Sequence, residues 1–357
     1  MRYHIVILDG DLMYDLSEED LQKIPAILQG LGYEVIAPLK FNQAVKLAPI
    51  NADSKIELDY IRLMNSPRDF LLPNRETLFK YRSTATITSY GLKIRFPTVE
   101  GPCPAGISPE YSSQKKKLAF FGIHPCIANS IRYLDRVMLS DPPDPYYSDR
   151  RKDMFLAVLE CDEGDEYCLC KTLGSYKVAK GYADILMRKS GNRYIAKPMT
   201  PLGETVLKQV GKEISGDYPK IVPRMKKEYE ITNADESSID SKDASETVKS
   251  CTLCCACTVT CPTCYCNDIE DRFSLVDPSN VERARTRMSC QRRCYSMIAG
   301  GTTFLKSKED RFKWRLKHKF PFSINSFRLV GCVGCGSCIA NCPARIDFRD
   351  HIARSVD

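Results

Sequence analysis

The chain has 357 residues, a formal net charge of +7 and 43% hydrophobic residues, enough to bury a sizeable core and to make two domains. Its opening, MRYHIVILDGDLMYDL, breaks an apolar run with Asp9, Asp11 and Asp15 and has no small-residue cleavage site, so it does not read as a secretory signal. No run of eighteen apolar residues exists to span a membrane, and a cytoplasmic location is expected.

In chain order, residues 3–8 (YHIVIL) read as a strand. SEEDLQKIPAILQGLG reads as a helix, with Ser17 as N-cap, acids in its first turn, Leu21, Ile24, Leu28 and Leu31 on one face, and Gly30 and Gly32 ending it. YEVIAPL follows as a second strand, and the strand-helix-strand start suggests a right-handed crossover. KLAFFGI and FLAVLEC read as buried strands, NSIRYLDRVML as a helix with Asn129 near its cap, and ADILMRKSGNRYIAKP as a hairpin turning at Ser190, Gly191 and Asn192. There is no G-x-G-x-x-G and no phosphate loop; Gly30-Leu-Gly32 ends a helix where a nucleotide fingerprint opens one.

Residues 233–250 (NADESSIDSKDASETVKS) are polar, Ser-rich and free of aromatics, the composition of a flexible connection. From Cys251 onward there are 17 Lys and Arg against 10 Asp and Glu, the entire net charge of the protein. The expected organisation is therefore α+β. A mixed α/β domain at 1–232 and a polar linker at 233–250 precede a second domain at 251–357.

The cysteines carry the chemistry. Eighteen are present, none before residue 103, and seven fall within residues 251–266. In a chain without an export signal such crowding indicates metal ligands or redox groups in preference to disulfides. Cys251-x2-Cys254-x2-Cys257-x3-Cys261-Pro262 has the bacterial ferredoxin spacing, and it recurs 81 residues later as Cys332-x2-Cys335-x2-Cys338-x3-Cys342-Pro343. Three thiolates at x2 intervals suit a chain coiling round an Fe4S4 cube, while the fourth is aimed away and ligates the other cluster. Two [4Fe-4S] clusters with crossed ligation are expected: Cys251, Cys254, Cys257 and Cys342 on one, Cys332, Cys335, Cys338 and Cys261 on the other. Structural zinc requires neither the third x2 step nor the Cys-Pro ending.

The insert between the motifs is expected to be helical, PSNVERARTRMSCQRRCYSMIAGG with a cap-like Ser279 and then KSKEDRFKWRLKHKF, which makes 251–357 an α-helical dicluster ferredoxin domain. Arg311, Lys313, Arg315, Lys317 and Lys319 around Trp314 form a basic run. Offsetting the negative clusters is the simpler role for it, ahead of nucleic-acid contact. No nucleophilic triad, H-E-x-x-H or paired carboxylates are present, so no catalytic residue is assigned.

On these residues the chain resembles the iron-sulfur β subunit of cytosolic archaeal [NiFe] sulfhydrogenases and the related iron-sulfur subunit of anaerobic sulfite reductase. The resemblance rests on PRDFLLPNRETLF (67–79), FFGIHPCIANSIRYLDRVML (120–139), DPYYSDRRK (144–152), CDEGDEYCLC (161–170), CPTCYC (261–266), MSCQ (288–291), AGGTTF (299–304) and CVGCGSCIANCPARIDF (332–348). It implies an electron-transfer iron-sulfur subunit of an oxidoreductase complex, itself non-catalytic, between a flavin subunit handling NAD(P)H and a hydrogenase or sulfur/sulfite-reducing catalytic subunit. A stand-alone sulfur-compound reductase using an exposed cluster or a bound flavin is the alternative. The chain departs from the family in Cys255, where Gly is usual, in Thr302, where His is usual, and over residues 1–66.

Cys264, Cys266 and Cys290 fall at positions the family also has; they read as buried thiols tuning a cluster, or as ligands of a further centre. Cys126, Cys161, Cys168 and Cys170 form an unusual C-x6-C-x-C set with one upstream partner, candidates for a third cluster. Cys103, Cys255 and Cys294 read as spare small residues. His4, His124, His318 and His351 read as structural or surface residues in preference to ligands, although His124, two residues before Cys126, is placed where it could coordinate.

Overall fold

The computed structural model describes residues 12–82, 84–88, 91–95, 117–219, 222–277 and 279–356. The strand expected at residues 3–8, His4 and Cys103 lie outside them.

The chain runs through β1 (Leu12–Leu16), α1 (Glu18–Gly30), β2 (Tyr33–Phe41), β3 (Ala44–Pro49), β4 (Arg75–Arg82), β5 (Lys117–Ile123), α2 (Pro125–Met138), β6 (Phe155–Leu159), β7 (Ile185–Ser190), β8 (Arg193–Pro198) and β9 (Lys212–Ser215). Eight of these strands form one sheet in the order β9-β1-β8-β7-β6-β5-β2-β3. Its centre, β2, β5, β6 and β7, is parallel. β5 and β6 are near-continuous apolar runs because both faces of the sheet are covered. On one face α1 packs Leu21, Ile24 and Leu28 with Phe121 and Ala157; on the other α2 packs Ile127, Ile131 and Leu134 with Phe120 and Val158.

The α1 boundaries follow the sequence signals. Ser17 and Asp20 form a capping box, and β7 and β8 make the expected hairpin. The start of α2 differs: it begins at Pro125 with His124 as N-cap, four residues before Asn129. Asn129 is instead a buried clamp, its amide donating to the carbonyls of Ser175 and Lys177.

Beyond the sheet come β10 (Glu228–Ile231), α3 (Glu236–Ser241), α4 (Ser245–Lys249), α5 (Ala256–Val259), β11 (Asn267–Phe273), β12 (Asn280–Arg287), α6 (Lys308–Lys317), α7 (Ser337–Ala340) and β13 (Ala353–Val356). The segment expected as a polar linker carries α3 and α4, and buries Ile239, Ala244 and Val248 against Phe312, Leu316 and Phe320. Three apolar side chains at spacings of five and four are enough to dock it, each contributing about 1–2 kcal/mol.

The insert also differs from its helical expectation. Ser279 precedes a strand, and β12 pairs with β11 on one side and with β4 on the other. The partners explain it. Arg283 stands opposite Asp271 and donates to it at 2.8 and 2.7 Å, while Arg285 stands opposite Glu76 and is buried on it. Opposite-charge cross-strand pairs outweigh the helical preference of an Arg-rich stretch. The KSKEDRFKWRLKHKF helix forms as expected, opened by a Ser307–Asp310 capping box. With β4–β12 and β10–β13, the two halves of the chain share sheets, and the segment after Cys251 combines strands with helices.

Candidate metal centres

The two cysteine motifs fold alike. Leu253 (φ 57°) and Cys255 (φ 67°) adopt the left-handed conformation at the same offsets as Gly334 (φ 62°) and Gly336 (φ 71°). One-turn helices of equal length, α5 and α7, follow each pair. Cys255 is thus the N-cap of α5 and pays the usual Cβ cost of that region, where the second motif has glycine. Each helix carries the third cysteine of its motif and delivers the fourth, Cys261 or Cys342, beyond its end.

Those fourth cysteines do not close on their own motif. Cys332, Cys335 and Cys338 line one cavity together with Cys261, Pro262, Thr263, Leu316 and Phe320. Cys251, Cys254 and Cys257 line a second together with Cys342, Pro343, Ile346 and Phe312. The cavities measure ≈ 30 and ≈ 60 Å³, and Cys338 and Arg315 belong to the walls of both. Every described cysteine is a free thiol. Among the described residues no three or more Cys, His, Asp or Glu are gathered for a single metal ion. The cavities instead offer thiols spread round an apolar void, the four named in one and, in the other, the four named with Cys255 and Cys338 also in the wall, an arrangement that suits a cubane better than one ion. Amide donors are aimed at sulfur from Gly334 to Cys332 and from Ile346 to Cys342, both at 3.4 Å.

Buried positive charge completes the setting. Burial disfavours the Arg315 charge, but Cys257, Cys264, Cys261 and Cys338 outweigh it and hold the guanidinium well above its usual range. Lys319, also buried, donates to Thr263 Oγ1 at 2.8 Å, and Cys261 and Cys264 keep its ammonium charged against the same penalty. As free thiols, Cys257 and Cys332 are pushed by burial up to about 12 and Cys338 up to about 11. Metal loading must therefore strip protons from these sites. Cys261 is held low, first by a hydrogen bond from Cys264 and then by Lys319 and Arg315.

Cys264, Cys266 and Cys290 line neither cavity. Cys264 receives Arg315 Nη1 at 3.5 Å beside Cys261, and Cys266 and Cys290 share a hydrogen bond. Cys294 is exposed. The basic run is not a surface stripe. Arg311, Arg315 and Lys319 point inward, while Lys313 and Lys317 pair with Glu309 and with Glu236 and Asp240. His318 bonds Tyr265 and His351 bonds Thr247. Both ring nitrogens of His124 face carbonyls, Leu159 at 2.9 Å and Tyr60 at 2.8 Å, which leaves neither for a metal. Burial, opposing those two carbonyls, lowers its pKa.

Two arginines escaped sequence reasoning. Arg68 is buried and donates to the carbonyls of Thr258, Val259 and Cys264, tying the α/β part to the end of the first motif. Arg62 grips Asp165 with two bonds of 2.7 and 2.6 Å and reaches the Cys335 carbonyl at 3.3 Å. Arg68 lies in PRDFLLPNRETLF, and nothing in its local spacing announces partners some 190 residues away.

Among known proteins, residues 250–346 match the family described as the 4Fe-4S dicluster domain, which indicates two [4Fe-4S] clusters in this segment. The chain as a whole is similar to sulfhydrogenase 2 subunit beta of Pyrococcus furiosus, 29% identical over 327 residues that cover 88% of this chain and 89% of that protein. The resemblance to the sulfhydrogenase β subunit thus extends well beyond the clusters. No solved structure matches the chain. Among the described residues, no helix is long and apolar enough to cross a membrane.

Proposed function

We propose that this chain is the electron-transfer iron-sulfur subunit of a cytoplasmic multi-subunit oxidoreductase. Cys251, Cys254, Cys257 and Cys342 hold one cluster and Cys332, Cys335, Cys338 and Cys261 the other. The observation that supports the reading is the shared wall: Cys338 and Arg315 line both cavities, Cys261 lines the one with Cys332, and Cys342 lines the one with Cys251. Each bound cluster supplies a one-electron site that makes and breaks no covalent bond with a substrate. The residues round it set the potential. Phe312, Leu316, Phe320 and Phe348 exclude water, the Gly334 and Ile346 amides donate to sulfur, and Arg315 and Lys319 bring positive charge.

The similarity to a sulfhydrogenase subunit supports the rest of the assignment: a relay between a flavin subunit handling NAD(P)H and a catalytic subunit reducing protons, sulfur or sulfite. Residues 1–232 form the body that docks those partners and 251–357 the dicluster domain.

Single Cys→Ala variants test the crossed sets by electron paramagnetic resonance of the reduced protein. Cys257→Ala and Cys342→Ala should lose the same signal, and Cys338→Ala and Cys261→Ala the other. In the assembled complex each should stop electron flow from NAD(P)H to the catalytic centre while the flavin partner keeps its own half-reaction. Loss of one common centre in Cys338→Ala and Cys342→Ala would refute the crossing.

A further inference from the structure

A third set of thiols comes together at the carboxyl end of the parallel strands. Cys126 sits in the first turn of α2, directly after β5, and Cys161 lies two residues past the end of β6, the neighbour of β5 in the sheet. Cys168 and Cys170 come from the loop that follows. Crevices beyond the carboxyl ends of such strands are where open α/β sheets place their ligands. All four cysteines line one cavity with Tyr60, Arg62, Tyr176 and Met225. Its volume, ≈ 30 Å³, equals that of the cavity holding Cys332, Cys335, Cys338 and Cys261.

Other potential ligands are spoken for. His124 lines the cavity, but both its ring nitrogens face carbonyls, and Glu163 turns to Arg224. The donors that remain are sulfur, the set that selects iron-sulfur clusters, zinc or copper(I). Gly164 is shaped by the site: a Cβ there would meet Met225 Sδ at 2.3 Å and Cys168 Cβ at 3.1 Å.

The position of the cavity is as informative as its donors. Cys335 and Ser337, from the second ferredoxin motif, form part of its wall. The loop bearing Cys168 and Cys170 is bolted to that motif, Leu169 N donating to Gly334 O at 2.8 Å, with Arg62 bridging Asp165 and the Cys335 carbonyl. Cys335 thus faces this cavity and the second motif's cavity, as Cys338 faces the second and the first.

We propose that Cys126, Cys161, Cys168 and Cys170 hold a third iron-sulfur cluster, a cubane, which makes the chain a three-centre wire with the second-motif cluster in the middle. One electron enters the third centre and one leaves through the cluster bound by Cys335, with no proton or bond exchanged. The ligand assignment stands without the relay reading; only the direction of use rests on it.

The test is iron, zinc and acid-labile sulfide per chain on anaerobically reconstituted full-length protein, with electron paramagnetic resonance after reduction. The wild type should hold about twelve iron and twelve sulfide. Cys161→Ser and Cys168→Ala should each fall to about eight while keeping both ferredoxin-motif signals. About eight iron in the wild type, with or without one zinc, would overturn the third cluster and leave the dicluster relay intact. Absence of the two motif signals from the wild type would instead sink the relay reading. The wild-type count decides the matter even where a variant fails to fold.

Discussion

Three glycine-to-alanine variants separate backbone conformation from close approach. Gly30 ends α1 with nothing within 4 Å of where an added Cβ would stand and no left-handed φ, so Gly30→Ala should gain a few tenths of a kcal/mol, up to about 1. Gly174 has φ +69° but open space, and Gly174→Ala should cost the left-handed penalty alone, roughly 1–2 kcal/mol. Gly334 has φ +62°, and a Cβ there would stand 2.4 Å from Leu169 C, 2.5 Å from Cys170 N and 2.7 Å from Leu169 O. Those are backbone atoms, so no rotamer change relieves them. The loop carrying Cys168 and Cys170 must withdraw and give up the Leu169–Gly334 hydrogen bond. Overpacking of this kind adds about 1–3 kcal/mol to the conformational term. Apparent melting temperatures, read anaerobically at one scan rate, should place Gly334→Ala below Gly174→Ala by about 2–6 °C, at roughly 2 °C per kcal/mol. Equal melting of the two would refute the close approach and with it the seating of the third cavity on the second motif.

Arg315→Leu should lower the potential of both motif clusters. A unit charge at ~6 Å in an effective dielectric of about 20 contributes about 3 kcal/mol, roughly 0.1 V for one electron. Arg315→Lys should recover most of it, and an unchanged redox titration would count against the shared cation. Arg68→Ala strands the carbonyls of Thr258, Val259 and Cys264 and should cost about 3–5 kcal/mol in thermal melts; Arg68→Lys should not rescue, because one ammonium cannot replace the planar fork. Burial, followed by Lys319 and Arg315, pushes His318 down to about 4. From pH 6.5 down to 4 the unfolded chain binds a proton that the folded chain refuses, so stability is lost on acidification across that window, by at most about 3 kcal/mol. His318→Gln should flatten that limb of the melting-temperature profile, and superimposable profiles would show the ring to be uninvolved.

What was legible in the sequence was local. The ferredoxin spacing singles out eight cysteines because a chain wrapped tightly round a small object repeats over a few residues. The same locality gives α1, α6 and the β7–β8 hairpin, whose caps and turns lie within four residues of what they cap. The illegible parts depend on distant partners. β12 is a strand because Glu76 and Asp271 await Arg285 and Arg283. Residues 233–250 are ordered because Phe312 and Leu316 supply a surface for Ile239 and Val248. For Cys126, Cys161, Cys168 and Cys170 the sequence offered an odd spacing, and the fold supplies the reason for it. Cys126 follows one parallel strand and Cys161 its neighbour, so a whole helical crossover separates them, while Cys168 and Cys170 reach the same cavity from an irregular loop, and no short repeat forms.

The three cavities differ in the charge they face, and that difference orders the potentials. The second-motif cavity has the buried Lys319 and Arg315 in its wall, the first-motif cavity the buried Arg315 and the half-buried Lys308. Arg62 stands in the wall of the third, but Asp165 holds it in a two-bonded pair, and Asp165 lies against Cys168 as well. Little net positive charge is left there to favour an added electron, and more negative surroundings lower the potential of an iron-sulfur centre. In a redox titration followed by electron paramagnetic resonance, the signal removed by Cys338→Ala should therefore appear at higher potential than the one removed by Cys161→Ser. Asp165→Asn frees the Arg62 charge and should move the third signal upward while leaving the first-motif signal in place. A third centre that accepts electrons before the middle one, or one indifferent to Asp165→Asn, would show that buried charge does not set the order along the wire.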